Sequence, residues 1–216
     1  MKTRYYLLCS ILLLAALLLS ALAYPQLPAQ IPTHWNASGK ADGFGPRQMI
    51  FMGPLLMAGA MALFAILPWL SPRRFAIEAF QATYWFIMLV VVGMFAYIDV
   101  ATLWATQSGS MDAGRAMLGG IAVFMALIGN VMGKVRRNFW IGIRTPWTLA
   151  SEKVWYATHR LAGKAMVAGA LVCLLGVVLG VPVQLCIAAL VAGPLLPLVY
   201  SLVYYKQLER SGKLEH

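Results

Sequence analysis

Six long apolar stretches separated by short polar segments set the pattern of this chain: residues 5–23, 49–70, 78–104, 116–133, 161–180 and 183–205. A helix needs about 20 mostly apolar residues to cross the roughly 30 Å of hydrocarbon in a bilayer. Each stretch is too long for an ordinary strand and lacks the period-two alternation of one. Lipid offers no water to satisfy backbone groups, so it admits only helices and closed barrels. The pattern therefore predicts an all-α membrane protein of six transmembrane helices. Proline, glycine and charge collect in the connections, and two of these, 25–48 and 134–160, are patterned enough to be structured loops.

Composition agrees with the pattern. Of 216 residues, 61% are hydrophobic and 11% charged, against roughly 45–50% and about 25% in a soluble domain. A chain of this size has no single core large enough to hide so much apolar surface, and disordered chains are far more polar. The formal charge of +10 suggests nucleic acid until its distribution is read. Fourteen of the seventeen Lys and Arg fall at the end of the spans that carries both chain termini, Arg73, Arg74 and the 134–164 segment; Lys40, Arg47 and Arg115 fall at the other. Basic residues favour the cytoplasmic side. Both termini are therefore expected in the cytoplasm, with 25–48 outside and 134–160 inside. Lys2 and Arg4 ahead of an apolar run, with Ala21-Leu22-Ala23 behind it, also look like a secretory signal. The run exceeds the roughly 7–15 residues of such a signal, so it reads as a retained helix. Leu214-Glu215-His216 reads as the scar of an expression tag. Cys9, Cys173 and Cys186 lie far apart inside apolar spans, with no metal spacing and no implied disulfide framework.

Chemistry collects in the two loops. In the outer one, prolines at 25, 28 and 32 keep the chain extended, and the turn formers from Asn36 to Gly45 predict a compact hairpin. His34, Asn36 and Asp42 are its side chains suited to a cation or a substrate. One His with one Asp falls short of a metal-ligand set. The plainer reading is an ordered turn with His34 and Asn36 bonded to its own backbone. The inner loop interleaves Arg144, Thr145, Trp147 and Thr148 with Glu152, Trp155, His159 and Arg160. Phe139 to Ile143 reads as a short extended piece broken by Thr145-Pro146, and Thr148 or Ser151 is placed to N-cap the next helix. Helical spacing puts Thr148, Ser151, Trp155 and His159 on one face. Aromatic side chains at the headgroup level and basic ones near anionic lipid explain much of this loop. They leave the density around Arg144 and Arg160 over, which gathered in one place would make an anion-recognising pocket with aromatic walls. Within the spans, Asp99, Arg115 and Asn130 are the polar residues to explain. Arg115, across a short outer connection, is the expected partner of Asp99, and Glu78 lies near Arg73 and Arg74. Gly129 with Gly133, and Gly176 with Gly180, have the spacing of close helix crossings or of a homo-oligomer contact. Pro194 and Pro197 are expected to bend the last helix.

The string Trp140-Ile141-Gly142-Ile143-Arg144-Thr145-Pro146-Trp147-Thr148-Leu149, followed by Val154-Trp155 and Thr158-His159-Arg160, resembles the signature of the SdpI family of bacterial membrane proteins. Ile31-Pro32-Thr33-His34-Trp35-Asn36, with Gly39 and Asp42-Gly43, resembles the N-terminal domain that often precedes it. The resemblance implies a bacterial inner-membrane protein, divided here as 1–75 (two helices and the outer loop), 76–213 (four helices) and the 214–216 tail. It further implies immunity to a secreted peptide toxin that attacks the membrane, or a receptor that holds a small DNA-binding repressor at the membrane. It supplies no cofactor and no catalytic residue. The leading reading is a binding protein of immunity or signalling type. It meets a peptide or ion at the outer loop and a cytoplasmic partner or anionic lipid at the inner one, without touching nucleic acid directly. A second reading is a membrane enzyme or lipid-handling protein with an anionic headgroup at Arg144, His159 and Arg160. His159 would then be its base, with Glu152 and Thr148 as orienters. A third, a small transporter, has only Asn130 and the Pro194–Pro197 bend behind it.

Overall fold

The computed structural model of the chain describes residues 2–36, 40–72, 77–108 and 113–214. Gly39, Arg73, Arg74 and the last two residues of the tag-like tail, all used in reading the sequence, lie outside the described residues. The helices are α1 (Lys2–Ala23), α2 (Met52–Leu70), α3 (Gln81–Ser108), α4 (Ala113–Met132), the five-residue α5 (Pro146–Ala150), α6 (Glu152–Val178) and α7 (Val183–Arg210). All but α5 are long and apolar enough to cross a membrane, so the six predicted spans are present. Leu14, Leu55, Leu175 and Val199 on four of them are each more than half exposed. In water such a surface would aggregate; in lipid it is the face the solvent requires.

Two helices extend beyond their apolar stretches. α6 begins at Glu152, ahead of the stretch at 161–180, with Ser151 as the N-cap that the sequence offered: its hydroxyl accepts the Val154 N–H and no breaker follows. The basic loop is therefore short, and the first turns of α6 stand in it. α7 runs unbroken through Pro194 and Pro197 to Arg210.

α1 and α2 pack on α3, α4 and α7 pack on α6, and α3 meets α4 between the two groups. Toward the basic end the core is aromatic: Tyr84 donates to the Phe64 carbonyl at 2.9 Å and meets Trp85 edge-on at 4.8 Å, with Met88, Trp155 and Met166 in the same cluster. Helices in lipid gain little from hydrophobicity when they meet, so small residues decide where they touch. A Cβ on Gly163 would stand 2.8 Å from the Gly129 carbonyl oxygen, and one on Gly169 only 2.4 Å from that of Ala189. α4 and α7 thus each cross α6 backbone against backbone. Gly129 and Gly176 of the predicted pairs serve these crossings inside one chain, while a Cβ on Gly133 would meet nothing nearer than Arg160 Cγ at 3.7 Å. Gly180 ends α6 at φ +73°, where the Val181 N–H reaches back to the Gly176 carbonyl at 2.8 Å.

At the end opposite the termini, β1 (Gln30–Trp35) and β2 (Ala41–Pro46) pair antiparallel, with Ile31 opposite Gly45 and His34 opposite Gly43. The predicted hairpin is thus a two-stranded sheet. Buried Ile31 packs with Leu27, Ile50 and Leu103 and seats it on the helices.

Candidate functional site

Asn138 organises the loop at the basic end. It is fully buried. Its amide donates to the Arg136 and Ile141 carbonyls at 2.8 and 3.0 Å, while its oxygen accepts the N–H groups of Trp140 and Ile141, each at 2.8 Å. These four bonds curl the backbone. The extended piece expected from Phe139 to Ile143 is therefore not formed, since the side chain takes the groups a strand would use. Gly142 follows at φ +118°, with the His159 ring so close that a Cβ would lie 2.3 Å from Nε2.

The His159 imidazole closes this turn. Its Nε2 accepts the Ile143 N–H at 3.0 Å, and its Nδ1 lies 2.7 Å from the Trp155 carbonyl oxygen. A carbonyl only accepts, so Nδ1 carries the proton and the ring is the neutral tautomer. The ring is fully buried and stacks on Trp155 at 4.0 Å between centroids. Both nitrogens are engaged, which leaves no lone pair for general-base work. Trp155 in turn donates to the Val135 carbonyl at 2.8 Å. Thr145 and Thr148 cap α5 reciprocally, each hydroxyl accepting the other's N–H, at 3.2 and 2.8 Å. Trp147 reaches Ser201 of α7 at 2.6 Å, and Trp140 reaches Ser71 past the end of α2 at 2.7 Å. Arg137 donates to the Leu149 carbonyl at 3.1 Å and pairs with Glu152 at 3.4 Å.

Thr148, Ser151, Trp155 and His159 are all buried, but not on one helical face as the spacing predicted: the backbone is extended at Ser151, so Thr148 lies on α5 and only Trp155 and His159 share a face of α6. The two arginines go elsewhere. Arg144 is exposed and donates to the Phe139 carbonyl. Arg160 lines a cavity of about 730 Å³ together with Lys134, Arg136, Tyr156, Gln81 and Glu78, and neither Arg144 nor His159 lines it. Arg136 donates to the Tyr156 hydroxyl at 3.0 Å and lies 5.3 Å from that ring's centre. The hydrogen bond raises its pKa above the ordinary guanidinium value. Lys134 and Arg136, which the sequence assigned to topology, are thus the cations that converge with Arg160.

At the hairpin end, His34 Nδ1 lies 2.5 Å from Asp42 Oδ1, with both side chains exposed. Asn36 bonds to its own turn as expected, its side-chain oxygen accepting the Lys40 N–H at 3.2 Å. His34 pairs with Asp42 rather than with backbone. Among the described residues no three His, Cys, Asp or Glu gather as metal ligands. Beneath the hairpin, Asp99 is only 3% exposed. It accepts the Ser20 hydroxyl at 3.1 Å and lines a cavity of about 240 Å³ under Ile31, Pro32 and Thr33. Arg115, its expected partner, instead donates to the Val177 and Gly180 carbonyls at 3.1 and 3.3 Å. α4 packs on α6, so Arg115 meets the carbonyls that the end of α6 leaves open. Asn130 is exposed at the lipid-facing side of α4 rather than inside the bundle. Asn138 and Ser20 were not among the candidates. The Asn at the head of a turn is a recognisable signal; a serine within an apolar run carries none.

Residues 134–204 match the SdpI/YfhL protein family, and residues 11–58 match a domain of unknown function, DUF1648. The chain is 29% identical over 206 residues to Immunity protein SdpI of Bacillus subtilis (strain 168), covering 93% of this chain and 96% of that protein. No solved structure matches. The first match contains the Asn138–His159 fold of the basic end, and the second contains β1 and β2.

Proposed function

We propose that this multi-pass membrane protein, whose residues 134–204 match the SdpI/YfhL protein family and residues 11–58 DUF1648, is a toxin-immunity protein that meets a membrane-active peptide at its hairpin end and a cytoplasmic partner or anionic lipid at its basic end. The observation that carries this reading is the likeness to an immunity protein along nearly the full length of both chains, loops included. The hairpin supports the first contact: it holds His34 and Asp42 exposed and paired on a seated two-stranded sheet. The excess of Lys and Arg at the other end supports a cytoplasmic placement for it. There the clamp of Asn138 and His159 gives the loop one shape, and a partner recognises one shape better than many.

The test is a deletion of the gene in the native host, followed by challenge with secreted membrane-active peptides. Survival is expected to fall and to be restored by the wild-type chain. The His34→Ala, Asp42→Ala double variant, present at normal levels in the membrane, is expected to restore it poorly. Unchanged sensitivity after deletion removes the immunity reading, and full rescue by the double variant removes the hairpin from it.

A further inference from the structure

The cavity at the basic end continues into a second hollow. Arg160 and Gly133 line both it and a groove of about 520 Å³ between α4 and α6. Down α6 the groove is walled by Arg160, Lys164, Ala168 and Leu171, successive turns of one helix face. Gly129 and Gly163, the residues of the close crossing, also line it, so the groove lies over bare backbone. It is cationic at its mouth, where Asn130 also lines it, and apolar farther along at Val167, Ala168 and Leu171. That is the polarity gradient of a phospholipid.

Cations at the mouth outnumber the acids. The Lys134 and Arg160 side chains are exposed and make no ion pair or hydrogen bond among the described residues, and Arg136 is bonded to a neutral hydroxyl, with Glu152 near enough to attract it. Glu78 lines the cavity as an acid against these three cations. Like charges lining one cavity repel, and an anion seated among them relieves that repulsion. Arg and Lys are the side chains suited to a phosphate. The cavity's volume falls within the ordinary range of small-ligand sites, roughly 300–1,000 Å³.

We infer that cavity and groove together hold one anionic phospholipid, its phosphate among Lys134, Arg136 and Arg160 and an acyl chain along Ala168 and Leu171. This rests on the reading that the basic end meets anionic lipid. Its test needs neither toxin nor host, so it stands or falls apart from the immunity role. Purified full-length protein is equilibrated in micelles with equal phosphatidylglycerol and phosphatidylcholine, and retained lipid is read by native mass spectrometry. Phosphatidylglycerol is expected to be preferred, and the Lys134→Gln, Arg160→Gln double variant to lose about tenfold or more of that preference. Lys213→Gln, which removes a charge elsewhere, leaves it unchanged. Ala168→Phe, which fills the groove away from the cations, lowers retention as well. Soluble glycerol 3-phosphate, a headgroup without chains, does not displace the lipid at equal concentration. Absence of a preference, or the same preference in the double variant as in Lys213→Gln, overturns the site. Displacement by glycerol 3-phosphate, or full retention in Ala168→Phe, overturns a lipid in favour of a free phosphate.

Discussion

His159 and Gly142 depend on one another. The ring fills the space a Cβ at 142 would need, and the backbone there holds a φ of +118° that other residues rarely adopt. Gly142→Ala is expected to cost about 1–3 kcal/mol from the strained backbone alone, with the collision added. His159→Ala is expected to cost about 2–4 kcal/mol by orphaning the Ile143 N–H and opening a hole beside Trp155. Because removing the ring also removes the collision, the double variant should lose less than the sum of the singles. Thermal unfolding of the purified proteins in detergent measures this, and strict additivity would mean the two residues do not touch as described. The sequence put Thr148, Ser151, Trp155 and His159 on one helical face, but Thr148 belongs to α5 and Ser151 is extended between the helices, so only Trp155 and His159 share a face of α6. It did not disclose that the face points inward. A histidine among arginines and tryptophans has the composition of a pocket, and only burial shows that both its nitrogens are committed to backbone.

The helices themselves were legible because crossing a bilayer is a property of some twenty consecutive residues. Crossing points were half legible. The Gly129–Gly133 spacing was visible, yet its partner on α6 is Gly163, which no spacing singled out. Gly163→Ala pushes a methyl group against the Gly129 carbonyl and is expected to destabilise the protein by about 1–3 kcal/mol, as overpacking does. Gly133→Ala adds its methyl where the nearest atom is 3.7 Å away. It is expected to be neutral or slightly stabilising, since alanine loses less backbone freedom in a helical turn. If melting temperatures put the two in the reverse order, α4 and α6 do not cross at Gly129.

Across the whole molecule, six spans put the basic end and the hairpin end on opposite sides of the bilayer, and the excess of Lys and Arg leads us to expect the basic end in the cytoplasm. The native cysteines are buried, at 0% exposure for Cys9 and Cys173 and 3% for Cys186, so single engineered cysteines report without background. Lys40→Cys, at the exposed tip of the hairpin, is expected to react with a membrane-impermeant maleimide in intact cells. Lys213→Cys, beyond α7, is expected to react only after the membrane is opened. The opposite pattern would reverse the orientation and place the proposed peptide contact in the cytoplasm.

Span number, span position and the gathering of Lys and Arg at one end follow from the sequence by itself, since partition between lipid and water is settled locally, residue by residue along each helix. The hairpin was legible for a similar reason: proline, glycine and asparagine restrict the backbone wherever they stand. The partner of each polar side chain was settled by the tertiary structure alone. Sequence gives the height of Asp99, Arg115 and Arg160 along their helices, but a partner also requires knowing which way each helix faces. α4 turns toward α6, which takes Arg115 to the Val177 and Gly180 carbonyls and leaves Asp99 to Ser20. Neighbouring helix positions face about 100° apart, so Arg160 points away from His159 by local geometry, and the packing then places it beside Lys134 and Arg136. Helix rotation is fixed by close crossings at glycines distant in the chain, and no local pattern encodes it.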